Sequence, residues 1–204
     1  MRIFVRVLFL FLLLSNCDSS NDTRVYKPQS SGNINDVSVV IDSELWESLV
    51  GETIRTNIGA PLYGLPQDEP QFKLSQIPAT IFSGFVKNTR LILKIAKGSK
   101  AETRFYRDPY ASPQRMVLVS GMTNQELIDQ LTTNNKKIIE AFKTSEIKEK
   151  QRRFRKSLFN TTALSKQLGI EIQLPSIYRT AKQEDDFFWM RRDIKTGTVN
   201  LLLY

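Results

Sequence analysis

Apolar residues are distributed along this chain in three ways: one unbroken run at the start, strict alternation in short segments, and three- and four-residue spacing in longer ones. The unbroken run, Val7 to Leu14, follows Arg2 and Arg6 and ends at Leu14-Ser15-Asn16-Cys17. A bilayer core of about 30 Å needs roughly twenty apolar residues to be crossed as a helix, so this shorter run predicts a removed export signal and not a span. Asp18 to Asn35 is rich in Ser, Asn and Asp with almost nothing to bury, and predicts a flexible tether over 17–35. Val37, Val39 and Ile41 then alternate with Ser38 and Val40, which predicts a first strand at 36–41. Ser43 is placed to cap a helix from Glu44 whose Leu45, Trp46, Leu49, Val50, Ile54 and Ile58 share one face, with Gly59 as its stop.

Residues 60–70 hold Pro61, Pro66, Pro70 and Gly64, so they cannot continue that helix or lie inside a sheet. They nevertheless carry Leu62, Tyr63 and Leu65. Such a loop is either a flap over the end of the core or a proline-stiffened surface for a partner, with part of its ordering cost already met. Short strands are predicted near Phe72–Leu74, Arg90–Ala96, Glu102–Arg107 and Arg115–Ser120, with one or two helical turns at 78–87. Their short links predict an antiparallel meander. Thr123 and Glu126 have the spacing of a capping box, and no Pro or Gly follows until Gly169, so a helix is predicted from 124 to about 158. Its Leu127, Ile128, Leu131, Ile138, Ile139 and Phe142 form one stripe, whereas Ile147, Phe154 and Leu158 fall on the opposite side. The helix is therefore expected to bend near Thr144-Ser145 or to project beyond the sheet. Thr161 or Thr162 starts a short helix stopped by Gly169, Ile170–Leu174 alternates as a strand with 178–182 beside it, and 187–193 and 198–204 read as a hairpin turning at Lys195-Thr196-Gly197.

Composition narrows the chemistry. There is one cysteine and no histidine among the 204 residues, which excludes disulfides, Ser-His-Asp triads, Cys-His pairs and His-based zinc sites. Of the net charge of +8, Arg2 and Arg6 supply two and the segment 136–156 the other six. Between Lys136 and Lys156 stand nine basic residues against Glu140, Glu146 and Glu149. Lys148, Arg152, Arg153, Arg155 and Lys156 make 146–158 a basic amphipathic segment, either an interaction surface for an anionic partner or an ordinary solvated face. An exported chain rarely meets nucleic acid, so the acidic partners to expect are envelope proteins, anionic glycans and lipid headgroups.

Glu184-Asp185-Asp186 is the only dense acidic cluster, and it is the sole basis for a competing reading as a carboxylate-based envelope glycan hydrolase. Arg191-Arg192 beside Trp189 could stack on a sugar or simply end a strand. No phosphate-cradling glycine loop, EF-hand spacing or nucleophile elbow occurs, and no cofactor or metal is expected.

Leu14-Ser15-Asn16-Cys17 resembles the bacterial lipoprotein box, with Asn16 in place of the usual small residue. The resemblance implies cleavage after residue 16 and a palmitate-type lipid on Cys17 that holds the chain at the outer membrane. Tyr26-Lys27-Pro28-Gln29-Ser30-Ser31-Gly32-Asn33, Gly64-Leu65-Pro66-Gln67, Glu146-Ile147-Lys148-Glu149-Lys150-Gln151-Arg152-Arg153 and Phe187-Phe188-Trp189-Met190-Arg191-Arg192-Asp193 are similar to a lipoprotein family of Bacteroidota-type bacteria. That family is catalogued only as a domain of unknown function. Its members are longer, which implies that Tyr204 is a truncation point. The expected whole is a single α+β domain over 36–204, a two-layer sandwich with a largely antiparallel sheet and two main helices on one face. Its expected role is a lipid-anchored, non-enzymatic binding or assembly module that contacts its partner through the basic helix or the Leu62, Tyr63 and Leu65 loop.

Overall fold

A computed structural model describes residues 26–195 and 197–204; the expected export signal, Cys17 and the first part of the expected tether lie outside them. Mixed helices and strands make an α+β protein with two sheets, and the expected class holds. In chain order the first part comprises β1 (Asp36–Val40), α1 (Ser43–Glu47), α2 (Leu49–Asn57), β2 (Lys73–Ile77), β3 (Leu91–Lys97), β4 (Glu102–Arg107), β5 (Arg115–Gly121) and the long α3 (Asn124–Phe154). The second comprises α4 (Thr162–Leu168), β6 (Arg179–Gln183), β7 (Phe188–Ile194) and β8 (Gly197–Leu203).

The five-stranded sheet has the order β2-β1-β3-β5-β4. Its first four strands are mutually parallel, and β4 alone runs antiparallel, against β5. The antiparallel meander expected for the strands from 90 to 120 is therefore corrected: β5 inserts between β3 and β4. The physical reason lies in the side chains. β3 and β5 present near-continuous apolar runs (Leu91-Ile92-Leu93, Met116-Val117), which need cover on both faces, as central parallel strands have. Glu102, Arg104 and Arg107 suit β4 to an edge.

Both faces are covered. Val37, Val39, Ile41, Leu91, Leu93, Ile95, Val117 and Val119 meet Val50, Ile54 and Ile58 and the Leu127, Leu131, Ile138 and Phe142 stripe of α3. Phe72 closes this core edge-on against Phe142, with ring centroids 5.9 Å apart. On the other face Val40, Ile92 and Met116 pack under Phe82, Val86 and Tyr110 from the turns at 79–88 and the 108–114 loop. The three-stranded sheet β6-β7-β8 has its own core of Leu164, Leu174, Phe188 and Met190, which shares no member with the first.

Local signals act as their chemistry dictates, with one change of register. The predicted helix over 44–58 is two helices broken at Ser48, which is extended and whose hydroxyl accepts from the Val50 amide at 3.2 Å while donating to the Leu45 carbonyl at 2.8 Å. Ser48, not Ser43, is the side-chain cap. The break folds the Trp46 carbonyl against Gly51, where a Cβ would stand 1.8 Å from its oxygen, so only glycine fits there. Thr123 and Glu126 form the predicted capping box. Gly169, at φ 65°, ends α4 as expected. Ile170–Leu174 is not a strand; the strand that pairs with β7 is β6.

The long helix keeps one buried stripe and, as the second expected alternative had it, carries its last turns past the sheet, where they meet the segment before β1 and the β4–β5 connection. Its buried positions run Leu127, Leu131, Ile138, Phe142, Glu146, Glu149, so two carboxylates continue the face that apolar residues begin. Glu146 is paired with Arg90, just before β3: Nε donates to Oε1 at 2.6 Å and Nη2 to Oε2 at 3.1 Å, with both side chains within 3 % of full burial. Two further guanidinium N–H groups, on Nη1 and Nη2, reach the Gly32 carbonyl at 3.0 Å and the Asn33 carbonyl, and the Asn35 amide donates to Glu146 at 2.6 Å. Backbone hydrogen bonds from Ser30 to Ser112, Ser31 to Asn88 and Arg90 to Ser31 hold the same segment. Residues 28–35 of the expected tether are thus docked on the domain.

Removing one partner of a buried ion pair strands the other, which costs about 3–5 kcal/mol. Arg90→Met or Glu146→Leu is expected to lose that much in urea denaturation, and the double variant no more than either single, because no lone charge then remains.

Candidate binding surfaces on the long helix

The basic half of α3 does not present its cations uniformly. Glu149, buried to 4 % exposure, accepts from Arg152 at 2.7 and 2.9 Å and from Arg153 at 2.8 Å, and Arg153 also donates to the Gly32 carbonyl at 3.0 Å. The Arg152 hydrogen bond is the main force that lowers the Glu149 carboxyl from its ordinary 4.5 to about 2; burial opposes it and Arg153 assists. Two of the five expected contact cations are thus already neutralised in part by their own chain. Lys148, Arg155 and Lys156 are exposed and make no ion pair among the described residues.

Two recesses flank this half of the helix. The first, of about 240 Å³, lies between α3 and the β4–β5 connection, lined by Arg107, Asp108, Gln114 and Arg115 on one side and Thr144, Ser145, Lys148, Glu149 and Arg152 on the other. Arg107 and Arg115 are directly opposite each other in the antiparallel register. The loop between them is held by Gln114, buried to 2 % exposure, which accepts from the Tyr110 and Ala111 amides and donates to the Lys87 and Thr89 carbonyls at 2.6–3.2 Å. Asp108, at a positive φ of 53°, closes the loop by accepting from the Gln114 amide and the Ser112 hydroxyl.

The second recess, of about 220 Å³, lies on another side of α3 and is lined by Ile34, Asn35, Leu62, Gln71, Lys143, Glu146, Ile147 and Lys150. It brings one member of the predicted apolar loop, Leu62, beside the helix. Tyr63 and Leu65 do not join it; both are exposed, Tyr63 completely. The loop itself is closed at its base by pairing of Pro61 with Pro70 and stands out from the core. Ile147 is 57 % exposed next to it.

Glu184, Asp185 and Asp186 are all exposed in the β6–β7 link, where Glu184 pairs with Lys182 at 2.7 Å. No group of three acids among the described residues is arranged to hold a metal ion. Arg191 and Arg179 both pair with Asp193, while Arg192 lies over the Tyr178 ring. Sequence reasoning missed Arg107, Arg115 and the two buried glutamates. The four- and three-residue steps from Phe142 to Glu146 and Glu149 were the available signal, hidden because glutamate is scored as a solvent residue.

The described residues thus form an α+β fold in which two recesses flank one long helix with a basic end. Residues 30–155 match the family described as Domain of unknown function (DUF8532), and the chain belongs to it. Residues 157–204 match a second description, Domain of unknown function (DUF4837). No curated protein and no solved structure matches the chain.

Because the folded state holds Glu149 ionised down to about pH 2, its stabilisation is complete above pH 4.5 and is lost as pH falls from 4.5 towards 2. Solvent at the half-exposed arginines limits its size to on the order of 1–3 kcal/mol. Glu149→Gln is expected to flatten that acid limb, measured as the difference in urea midpoint from the parent chain between pH 6 and pH 2.5.

Proposed function

We propose that the chain is a lipid-anchored cell-envelope module of Bacteroidota lipoprotein type, held at the outer membrane through lipid on Cys17, that binds or assembles with an anionic envelope partner and is not an enzyme. The observation that carries the binding role is the meeting of the two contact surfaces: Leu62 from the loop and Ile147 from α3 line one groove, rimmed by Lys143 and Lys150. An exposed apolar strip with a cationic rim has the make-up of a protein contact patch, where apolar burial supplies affinity and charge supplies rate and orientation. Tyr63 and Leu65 extend the strip, and Arg155 and Lys156 extend the rim at the end of α3. No helix among the described residues is long and apolar enough to cross a membrane, which is compatible with attachment by lipid.

Placing a photo-crosslinking side chain at Tyr63 in intact cells, followed by mass spectrometry, identifies the partner. Leu62→Asp with Ile147→Asp is then expected to weaken its capture about tenfold or more, the loss of roughly 1.4 kcal/mol. Arg155→Glu with Lys156→Glu should flatten the salt dependence. A clickable palmitate that labels the chain and fails to label Cys17→Ala tests the anchor.

A further inference from the structure

We infer that the cleft between α3 and the β4–β5 connection binds a phosphate group carrying close to two negative charges. This goes beyond the partner surface proposed above, which uses the groove at Leu62 on another side of the helix.

Like charges directly opposite on antiparallel strands repel, yet Arg107 and Arg115 are in that position. Two further cations, Lys148 and Arg152, face them from α3 across a recess of about 240 Å³. At about 30 Å³ per water, such a volume holds several waters or one compact oxyanion. The lining carries four cations and two carboxylates, Asp108 and Glu149. Both carboxylates are already engaged, Asp108 by the Gln114 amide and Ser112 and Glu149 by Arg152 and Arg153. The excess is thus two positive charges. A carboxylate ligand would neutralise half of it, whereas a phosphomonoester, at about −1.5 to −2 near pH 7, matches it. Guanidinium groups pair with phosphate oxygens two at a time, and Thr144 and Ser145 add hydroxyl donors to the same wall.

A merely solvated basic face would not require its cations to be held in place. Here Gln114, buried and using both ends of its amide on four backbone groups, fixes the strand end that carries Arg115 and the loop that follows Arg107. The Arg90–Glu146 pair does the same for the helix one turn before Glu149. The backbone that carries the opposing cations is thus set in place before any ligand arrives, and Arg152 is held by Glu149 as well, which lowers the cost of binding.

The test uses the purified full chain with sodium phosphate and sodium pyrophosphate against sodium chloride of equal ionic strength, and with phosphatidylcholine vesicles with or without phosphatidic acid. At roughly ten times the dissociation constant, phosphate or pyrophosphate is expected to raise the melting midpoint by about 3–5 °C over chloride. Arg107→Gln with Arg115→Gln should abolish that rise while leaving the ligand-free midpoint equal or higher, since a repulsion is removed. A rise with the soluble anions supports the site with a soluble phosphate as its ligand. Sedimentation of the Cys17→Ala chain with phosphatidic acid vesicles beyond that with phosphatidylcholine alone, the excess lost in the double variant, supports it with a headgroup as the source. Should the double variant fail to fold, Lys148→Gln replaces it, and loss of half or more of the response is expected. No response in either arm, or one that the variants leave unchanged, overturns the inference. The crosslinking partner at Tyr63 is read separately, so either proposal can fail alone.

Discussion

A guanidinium and a carboxylate withdrawn from water need protein partners for their donors and acceptors, and Arg90 and Glu146 find them by gathering three separate parts of the chain. Arg90 leads into the central strand β3, Glu146 sits on the seventh turn of α3, and Gly32, Asn33 and Asn35 belong to the segment before β1. Apolar packing of α3 on the sheet is non-directional and would tolerate a small slide or rotation of the helix. The forked pair does not, because both oxygens and four of the guanidinium hydrogens have fixed partners. The register of the long helix against the sheet is therefore set by this contact, and the hydrophobic stripe supplies its strength.

From that fixed point the surfaces of α3 follow. One turn further, Glu149 draws Arg152 and Arg153 inward, and Arg153 reaches the same Gly32 carbonyl that Arg90 uses. The helix is thus held at its charged end by the docked stretch 28–35. One flank turns Lys148 and Arg152 towards Arg107 and Arg115, and another places Ile147 beside Leu62. The two recesses, one rimmed by cations and one by apolar side chains, lie on different sides of the helix.

Beyond Phe154 the chain begins a second piece of architecture. Its hairpin β7–β8 and strand β6 pack on Leu164 and Leu174, with Leu158 pairing back to Pro175. The two family matches meet at the same place, one ending at 155 and the other beginning at 157. A self-contained apolar cluster on each side of that point gives the match boundary a physical meaning. The acidic link and the paired Arg179, Arg191 and Asp193 of the second part lie on its exposed surface.

Local chemistry was legible in the residues. The capping box at Thr123 and Glu126, the αL stop at Gly169, the strands at 36–40, 91–97 and 115–121, the hairpin partners β7 and β8 and the α+β class each follow from a spacing that acts over a few residues. What the tertiary structure alone decided is anything that depends on a partner distant in the chain. Whether β5 joins β3 or β4 depends on which strand must be covered on both faces. Whether a glutamate at a core position is an error of pattern or the centre of the fold depends on an arginine 56 residues away. Whether Arg152 and Arg153 are free to meet a partner depends on Glu149 and on a carbonyl before β1. Periodicity records which side of an element is apolar, but a charge is stabilised in the interior only by the particular groups around it, and only the fold brings those together.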